Sequence, residues 1–387
     1  MIRSLFATLL TAFSLATLAA PVVPSPPQVA AAAYVLIDAD SGEVLVAHNP
    51  DQRLPPASLT KLMTSYVLSH ELDEGRVSKD DMVLVSENSW AQNPIFAGSS
   101  LMWIEVGKEV KLADLHRGIV VSSGNDATVA IAEHLAGTES AFADVMNGHA
   151  AELGMNDSHY VNSHGLPDPD HYTTARDLAR LASALIKDYP EDYKLYKERE
   201  YTYNGIPQYN RNRLLVEDPT VDGLKTGYTS EAGYCLVASA KRDGMRLISV
   251  VLGTDSKRTR ESESRKLLNY GFRYFETHVL YEAGQQITTT RVWKGRQDEL
   301  NLGVGEQIYL TLPRGRSEDL DAVMELDETI VAPISEGSTY GILRVSLDGE
   351  ELLETPLIAL QDIAEAGFFA RLWDSIVMFI TGFLDLQ

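Results

Sequence analysis

Residues 34–38 and 43–47 are two strand-like apolar runs flanking Ala39-Asp40-Ser41-Gly42, a pattern that predicts a β-hairpin closed by a glycine-bearing turn. Pro55 and Pro56 end the strand pattern. A helix is predicted from about Ala57, with Leu59, Leu62, Met63, Tyr66 and Val67 at helical spacing. Further helices are expected over 112–121, over 128–135 and over 174–186, the last starting at the cap candidates Thr173 and Thr174. Past Gly233 the pattern returns to strands. Residues 234–240 and 246–252 surround Arg242-Asp243-Gly244 as a second hairpin, and 262–275 reads as helix again. A strand pair at each end therefore brackets a block of helices. This implies an α+β domain over residues 33–280, in which both hairpins join one antiparallel sheet covered by helices.

Beyond this domain, residues 286–362 show short β runs punctuated by Gly and Pro, which predicts a small all-β domain. The last segment, 366–387, differs again. On a helical wheel Arg371, Asp374, Ser375, Thr381, Gly382 and Asp385 fall on one stripe, and large apolar residues fill the rest. An amphipathic helix lying in a membrane interface explains this pattern. A helix docked on the protein's own core and a short transmembrane span are the alternatives. Interfacial helices usually carry Lys and Arg on the polar face, and this one has only Arg371.

At the other end, Arg3 precedes an apolar run from Leu5 to Ala20 whose only polar residues bear hydroxyls. Small-residue stretches lie near Ala19 and Ala33. Residues 1–32 are read as a secretory signal with an unfixed cleavage site, since the run is shorter than the roughly 20 residues that span a bilayer. The chain has 387 residues, 44% hydrophobic and 23% charged, as expected of a folded globular protein. Its net charge of −22, with no Lys/Arg stripe, argues against a nucleic-acid partner. Cys235 is the only cysteine, so an exported chain must be held by its core and not by disulfides. Lying in an apolar run, Cys235 reads as a small buried hydrophobe.

Candidate chemistry begins at Ser58-Leu59-Thr60-Lys61. The i to i+3 spacing on a helix start places Ser58 and Lys61 on one face. A serine hydroxyl needs a base to become a nucleophile. Lys61 becomes one if the helix dipole, burial and a second cation lower its pKa. Such a four-residue pattern arises by chance about once in a chain of this length, but it is the only one here. Ser123-Gly124-Asn125 lies in a connection between two predicted helices, where a hydroxyl and an amide suit proton relay and peptide binding. The same residues also suit a helix cap. A rival Ser86-Glu87-Asn88 follows a strand-like run and reads as a surface turn. Lys225-Thr226-Gly227 precedes the second hairpin and offers a cation, a hydroxyl and a residue with no side chain, where an extended substrate can lie along an edge strand. His159, His164 and His171 cluster with Asp157, Asp168 and Asp170, but their spacing fits no standard metal set. No G-x-S-x-G elbow occurs either. Neither a metal nor a cofactor is expected.

Ser-x-x-Lys, Ser-x-Asn and Lys-Thr-Gly in this order resemble the penicillin-recognising acyl-serine enzymes. The chain is similar to the low-molecular-mass penicillin-binding proteins of the serine D-alanyl-D-alanine carboxypeptidase family. The resemblance runs from about Tyr34 to the C-terminus and includes Asn162-Ser163-His164-Gly165-Leu166, Asn210-Arg211-Asn212-Arg213-Leu214-Leu215 and Leu267-Leu268-Asn269-Tyr270-Gly271-Phe272. It implies a transpeptidase-like domain, the β domain and the C-terminal helix. It also implies removal of the terminal D-alanine from peptidoglycan stem peptides and covalent inhibition by β-lactams. The location it implies is the periplasmic face of the bacterial inner membrane. In these terms Ser58 forms the acyl-enzyme, Lys61 takes its proton and Ser123 passes a proton to the leaving D-alanine. Asn125 contacts the substrate amide. Lys225 and Thr226, with Gly227 and Arg260, hold the terminal carboxylate, and the backbone N–H groups of Ser58 and Tyr228 receive the oxyanion. A β-lactamase and a non-catalytic cell-wall scaffold are the competing readings. The intact motif set argues against the scaffold, and the β domain and C-terminal helix argue against the β-lactamase.

Overall fold

The computed structural model describes residues 23–384, so residues 1–22 of the expected signal segment, and Asp385 of the polar stripe, lie outside the described residues. Strands β1 (Ala33–Asp38) and β2 (Val44–His48) form the first hairpin. Helices α1 (Lys61–Asp73), α2 (Asn125–Ala136) and α3 (Ala175–Asp188) follow, with a further helix over Glu139–Glu152 between the last two and shorter pieces elsewhere. Strands β3 (Val221–Thr229), β4 (Gly233–Arg242) and β5 (Met245–Thr254) and helix α4 (Lys257–Tyr274) complete the domain. One antiparallel sheet has the order β2-β1-β5-β4-β3, so both hairpins do share it.

Period-two alternation sorts the sheet's two faces. Val35, Val237, Ile248 and Val250 meet Leu62 and Met63 on the side of the helical block. Leu36, Leu236, Leu247 and Val251 meet Leu267 and Leu268 of α4 on the other. Cys235 is buried in the first of these clusters, as its apolar setting implies. Helix α1 departs from the expected one-sided pattern, because it is buried on all sides from Lys61 to Ser69. Tertiary partners satisfy two of its polar residues: Thr64 Oγ1 donates to Ser163 O at 2.6 Å, and Ser65 Oγ lies 2.7 Å from His116 Nε2, whereas the buried Ser69 Oγ has no partner among the described residues.

Several boundaries move for physical reasons. The helix expected over 112–121 is α-helical only over Leu112–Arg117. A wider π turn over Gly118–Ser122 then ends at Ser123, whose φ of 62° is left-handed. Helix α4 starts before the expected residue 262. Ser256 caps it by accepting from Thr259 N, and its first residues are polar and carry no periodic signal. Thr174 caps α3 by accepting from Asp177 N.

The second unit is all β. Strand β6 (Phe275–Tyr281) pairs with β9 (Ile308–Pro313). Strands β7 (Gln286–Trp293), β8 (Glu299–Gly303), β10 (Leu320–Leu326), β11 (Ile330–Val331), β12 (Thr339–Leu347) and β13 (Glu350–Ala359) form a sheet of order β10-β12-β13-β8-β7-β11. Leu300, Leu302, Leu343, Val345 and Leu357 fill its core. Helix α5 (Phe368–Leu384) ends the described chain, and no helix among the described residues is long and apolar enough to cross a membrane.

Candidate active site

Pro56 leads into a tight 3-10 turn, Ala57–Thr60, that runs directly into α1. Ala57 has a left-handed φ of 49°, an uncommon state for a residue with a side chain. This turn sets half-buried Ser58 over the first residue of the helix, the fully buried Lys61. Lys61 Nζ lies 3.1 Å from Ser58 Oγ. It donates to Asn125 Oδ1 at 2.7 Å and to His164 O at 2.7 Å. Those two partners can only accept. A neutral amine has two N–H groups to give them and one lone pair left for the Ser58 hydroxyl. Burial brings the Lys61 pKa down to about 7, and Arg211 pulls the same way against Asp126 and Glu139.

The π turn and the left-handed Ser123 hold the second wall. Buried Ser123 accepts from Lys225 Nζ at 2.8 Å, and Lys225 also donates to Thr226 O at 3.0 Å. Burial lowers the Lys225 pKa well below its usual value, with Lys61, Arg211 and Arg260 adding to the effect. Asp126 pins this wall from behind. Its Oδ1 accepts from Met102 N and its Oδ2 from Trp103 N, both at 2.8 Å.

Lys225, Thr226 and Gly227 lie in β3, an edge strand of the sheet. A Cβ on Gly227 would come within 3.0 Å of Pro56 O and 3.3 Å of the Ala57 Cβ, so a side chain here would press on the turn that carries Ser58. Arg260, on α4, donates to Gly227 O at 3.1 Å, and its buried Nε has no partner in the structure. Tyr228 is exposed and stacks on Tyr234 with ring centroids 4.2 Å apart. The structure thus brings Ser58, Lys61, Ser123, Asn125 and Lys225 together as two hydrogen-bonded groups, Ser58–Lys61–Asn125 and Ser123–Lys225, close enough for the charge of Lys61 to act on Lys225, with β3 and Arg260 alongside. Ser86 and Asn88 instead bond the Glu133 carboxylate on α2, at 2.5 and 2.9 Å.

Residues 20–256 match the family model described as D-alanyl-D-alanine carboxypeptidase. The chain belongs to the D-alanyl-D-alanine carboxypeptidase family. Residues 275–365 match the model described as penicillin-binding protein 5, C-terminal domain. The chain is 46% identical to D-alanyl-D-alanine carboxypeptidase DacC of Escherichia coli, across 91% of this chain and 89% of that one. It is 44% identical to DacA of Haemophilus influenzae, across 92% and 91%. Among solved structures, penicillin binding protein 5 from Haemophilus influenzae superposes with a TM-score of 0.85 at 44% identity, covering 88% of this chain and all of the other. Penicillin-binding protein D2 of Listeria monocytogenes, in its ampicillin-bound form, matches 63% of this chain and 98% of its own at a TM-score of 0.56 and 31% identity.

Two contributors to the candidate site escape sequence reasoning. His164 takes part through its main-chain oxygen, which no residue-type pattern reports. Its ring is held down to about 3 by burial, with Lys61 adding to the effect. Arg211 approaches the two lysines from a loop far away in sequence. Much of its surface is open to solvent, yet enough is enclosed to hold its guanidinium below its usual value. The only signal for it was its place in Asn210-Arg211-Asn212. The histidine group disperses into separate tasks: His159 Nδ1 lies 2.7 Å from Asp170 O, His164 faces Glu139, and His171 meets Thr60.

Proposed function

We propose that Ser58 carries the reaction of this serine-type D-Ala-D-Ala carboxypeptidase, with neutral Lys61 as its base. The observation that carries the assignment is the setting of the Lys61 amine, which is buried and donates to two acceptor-only partners, leaving one position on nitrogen 3.1 Å from Ser58 Oγ. Ser58 Oγ loses its proton to Lys61 Nζ and bonds the penultimate D-alanine carbonyl carbon. The carbon–nitrogen bond then breaks, and the leaving D-alanine nitrogen receives a proton by way of Ser123, which Lys225 holds at 2.8 Å. Water next attacks the ester carbon, and the Ser58 oxygen leaves and regains a proton. Asn125 keeps its amide nitrogen for the substrate backbone, since its Oδ1 is taken by Lys61. Lys225, Thr226 and Arg260, beside the bare Gly227, form the cationic end that receives the free carboxylate. The N–H groups of Ser58 and Tyr228 receive the oxyanion.

The substrate is a peptidoglycan stem peptide ending in D-Ala-D-Ala, and β-lactams acylate the same serine. The location is the periplasmic face of the bacterial inner membrane, reached through the N-terminal signal. Helix α5 lies in the membrane interface. Supporting this, Phe368, Phe369, Trp373 and Phe379 are each about two-thirds exposed or more in the described structure.

Purified protein is to be incubated with a diacyl-D-Ala-D-Ala peptide and with a fluorescent penicillin. D-alanine release and a lasting label, both abolished in Ser58→Ala, are expected. Fast penicillin turnover without peptide cleavage would instead make it a β-lactamase, and activity surviving in Ser58→Ala would remove Ser58 from the mechanism.

A further inference from the structure

His171 lies outside the hydrogen-bonded groups just described, yet it is buried and its ring bonds are all made. Its Nδ1 accepts from the Val161 N–H at 3.2 Å, so the ring proton sits on Nε2. Nε2 lies 2.8 Å from Thr60 Oγ1. Thr60 therefore accepts from His171, and its own proton is directed to Ala57 O, also at 2.8 Å. Burial lowers the His171 pKa to about 4, which keeps the ring neutral and this tautomer populated at neutral pH.

The end point of this chain is what gives it meaning. Ala57 O and the Ser58 N–H belong to the same peptide unit. In a trans peptide the C=O and N–H point in opposite directions, so fixing one aims the other. Ala57 is held at a left-handed φ of 49°, a state that nothing in its own side chain favours. Its carbonyl is also pressed by the backbone at Gly165, where a Cβ would sit 1.8 Å from Ala57 O. Hydrogen bonds donated into a carbonyl polarise the peptide and make its N–H a better donor.

We propose that Thr60 and His171 are positioning residues that aim the Ser58 N–H at the developing oxyanion through the Ala57–Ser58 peptide. The inference rests on the reading of that N–H as an oxyanion donor. Neither residue touches the substrate. Both act on the transition state, where the negative charge develops, and leave substrate binding alone. The relay also joins the nucleophile turn to the 161–165 segment that supplies the His164 carbonyl to Lys61, so both halves of the acylation apparatus share one brace.

The test uses Thr60→Val, His171→Leu and His171→Gln in the full enzyme. Each is assayed for kcat and KM on diacyl-D-Ala-D-Ala, and for affinity toward a peptide boronic acid, a tetrahedral oxyanion mimic. Rates are normalised to the fraction of chains that penicillin labels at long times, so misfolded protein does not count. Thr60→Val and His171→Leu are each expected to lower kcat and boronate affinity about tenfold or more, with KM within about twofold, and the double variant is to be no worse than either alone. His171→Gln keeps one acceptor and one donor and is expected to recover most of the loss. Unchanged kcat and boronate affinity in Thr60→Val overturns the proposal. So does a loss confined to KM, or an equal loss in the Gln and Leu variants, which would assign the effect to ring packing. If Ser58→Ala still releases D-alanine, the nucleophile assignment has failed. If it is inactive while Thr60→Val matches the parent enzyme, only the relay has failed.

Discussion

In the proposed mechanism Lys61 decides the pH dependence of the chemistry. It must be neutral to accept the Ser58 proton, and burial brings its pKa to about 7. Above that value the base form dominates. Below it the ammonium form dominates, and the acylation rate falls about tenfold per pH unit. Penicillin labelling measured from pH 5 to 9 should therefore rise along an acid limb with its midpoint near neutrality. Arg211 helps to set that midpoint, because its charge opposes protonation of Lys61. Arg211→Gln removes the opposition, so the limb should move to higher pH. A rise of about half a pH unit costs about threefold in rate on the acid side and nothing on the alkaline plateau. An unmoved limb would show that burial alone sets the Lys61 pKa. At this scale the site was partly legible in the sequence. The i to i+3 rule brought Ser58 and Lys61 together, and a lowered lysine pKa followed from burial. Arg211 was not legible as the cation beside Lys61, because 150 residues separate it from Lys61 and only tertiary folding brings them close.

The elements show where periodicity works and where it stops. The hairpins β1–β2 and β4–β5 were legible because each is a pair of apolar runs around a Gly-bearing turn. The edge position of Lys225-Thr226-Gly227 was legible too, but the bounds of strand β3 were not, since Asp222, Gly223 and Gly227 break up its apolar run beside Ser58. Helix α1 read as one-sided because polar Thr64 and Ser65 look like a solvent face, whereas both bond to other elements. The loop at Gly165 carries the clearest consequence at this scale. It has a φ of 86°, and an added Cβ would sit 1.8 Å from Ala57 O and 2.6 Å from Thr60 Oγ1. Backbone cannot retreat there without moving the nucleophile turn. Gly165→Ala should destabilise the domain by about 2 kcal/mol or more and slow penicillin acylation even in the folded fraction. Thermal melting and labelling rates check both. A variant with the parent's melting temperature and rate would mean that the two loops are not in contact.

At the scale of the whole molecule, the N-terminal boundary comes first. The sequence left cleavage open between Ala19 and Ala33. Tyr270 Oη donates to Pro24 O at 2.9 Å, Lys266 Nζ to Gln28 O at 2.9 Å, and Ala32 N to Leu252 O at 2.9 Å. Val23, Val29 and Ala31 pack against the α4 side of the core. If the chain is exported as proposed, a segment so engaged should stay with the mature fold, so N-terminal sequencing of the processed protein should start before Pro24, and a start after Ala33 would refute this. The two domains are joined at the first hairpin, where Ser41 Oγ lies 2.6 Å from Thr311 Oγ1 and Thr277 Oγ1 donates to Asp38 Oδ2 at 2.5 Å.

The far end of the β domain bears on membrane attachment. Helix α5 carries a single basic residue, Arg371, and Arg371 is paired with Glu365. For a chain of net charge −22, approach to an anionic bilayer is then unfavourable. The turn after β7 changes this balance. Asp374 Oδ2 accepts from the Lys294 N–H at 2.6 Å, and Lys294 O accepts from the Ala366 N–H at 2.8 Å, which fixes the turn against the base of the helix. The same turn holds Arg296, whose Nε donates to Glu365 O, and Arg291 stands 3.7 Å over the Trp293 ring. Cations missing from the helix are thus placed beside it by the domain. Near an anionic surface each contributes about 1 kcal/mol, so Lys294→Gln with Arg296→Gln should weaken binding to phosphatidylglycerol-containing vesicles by up to about thirtyfold at low salt. Binding to phosphatidylcholine vesicles, which depends on apolar burial, should not change, and removal of residues from Gly367 onward should abolish both. Carboxypeptidase activity on a soluble peptide should survive all three changes, since α5 and the β7 turn contribute nothing to the Ser58 site. An equal loss on both vesicle types in the double variant would mean that the turn acts by holding the helix in place and not by its charge.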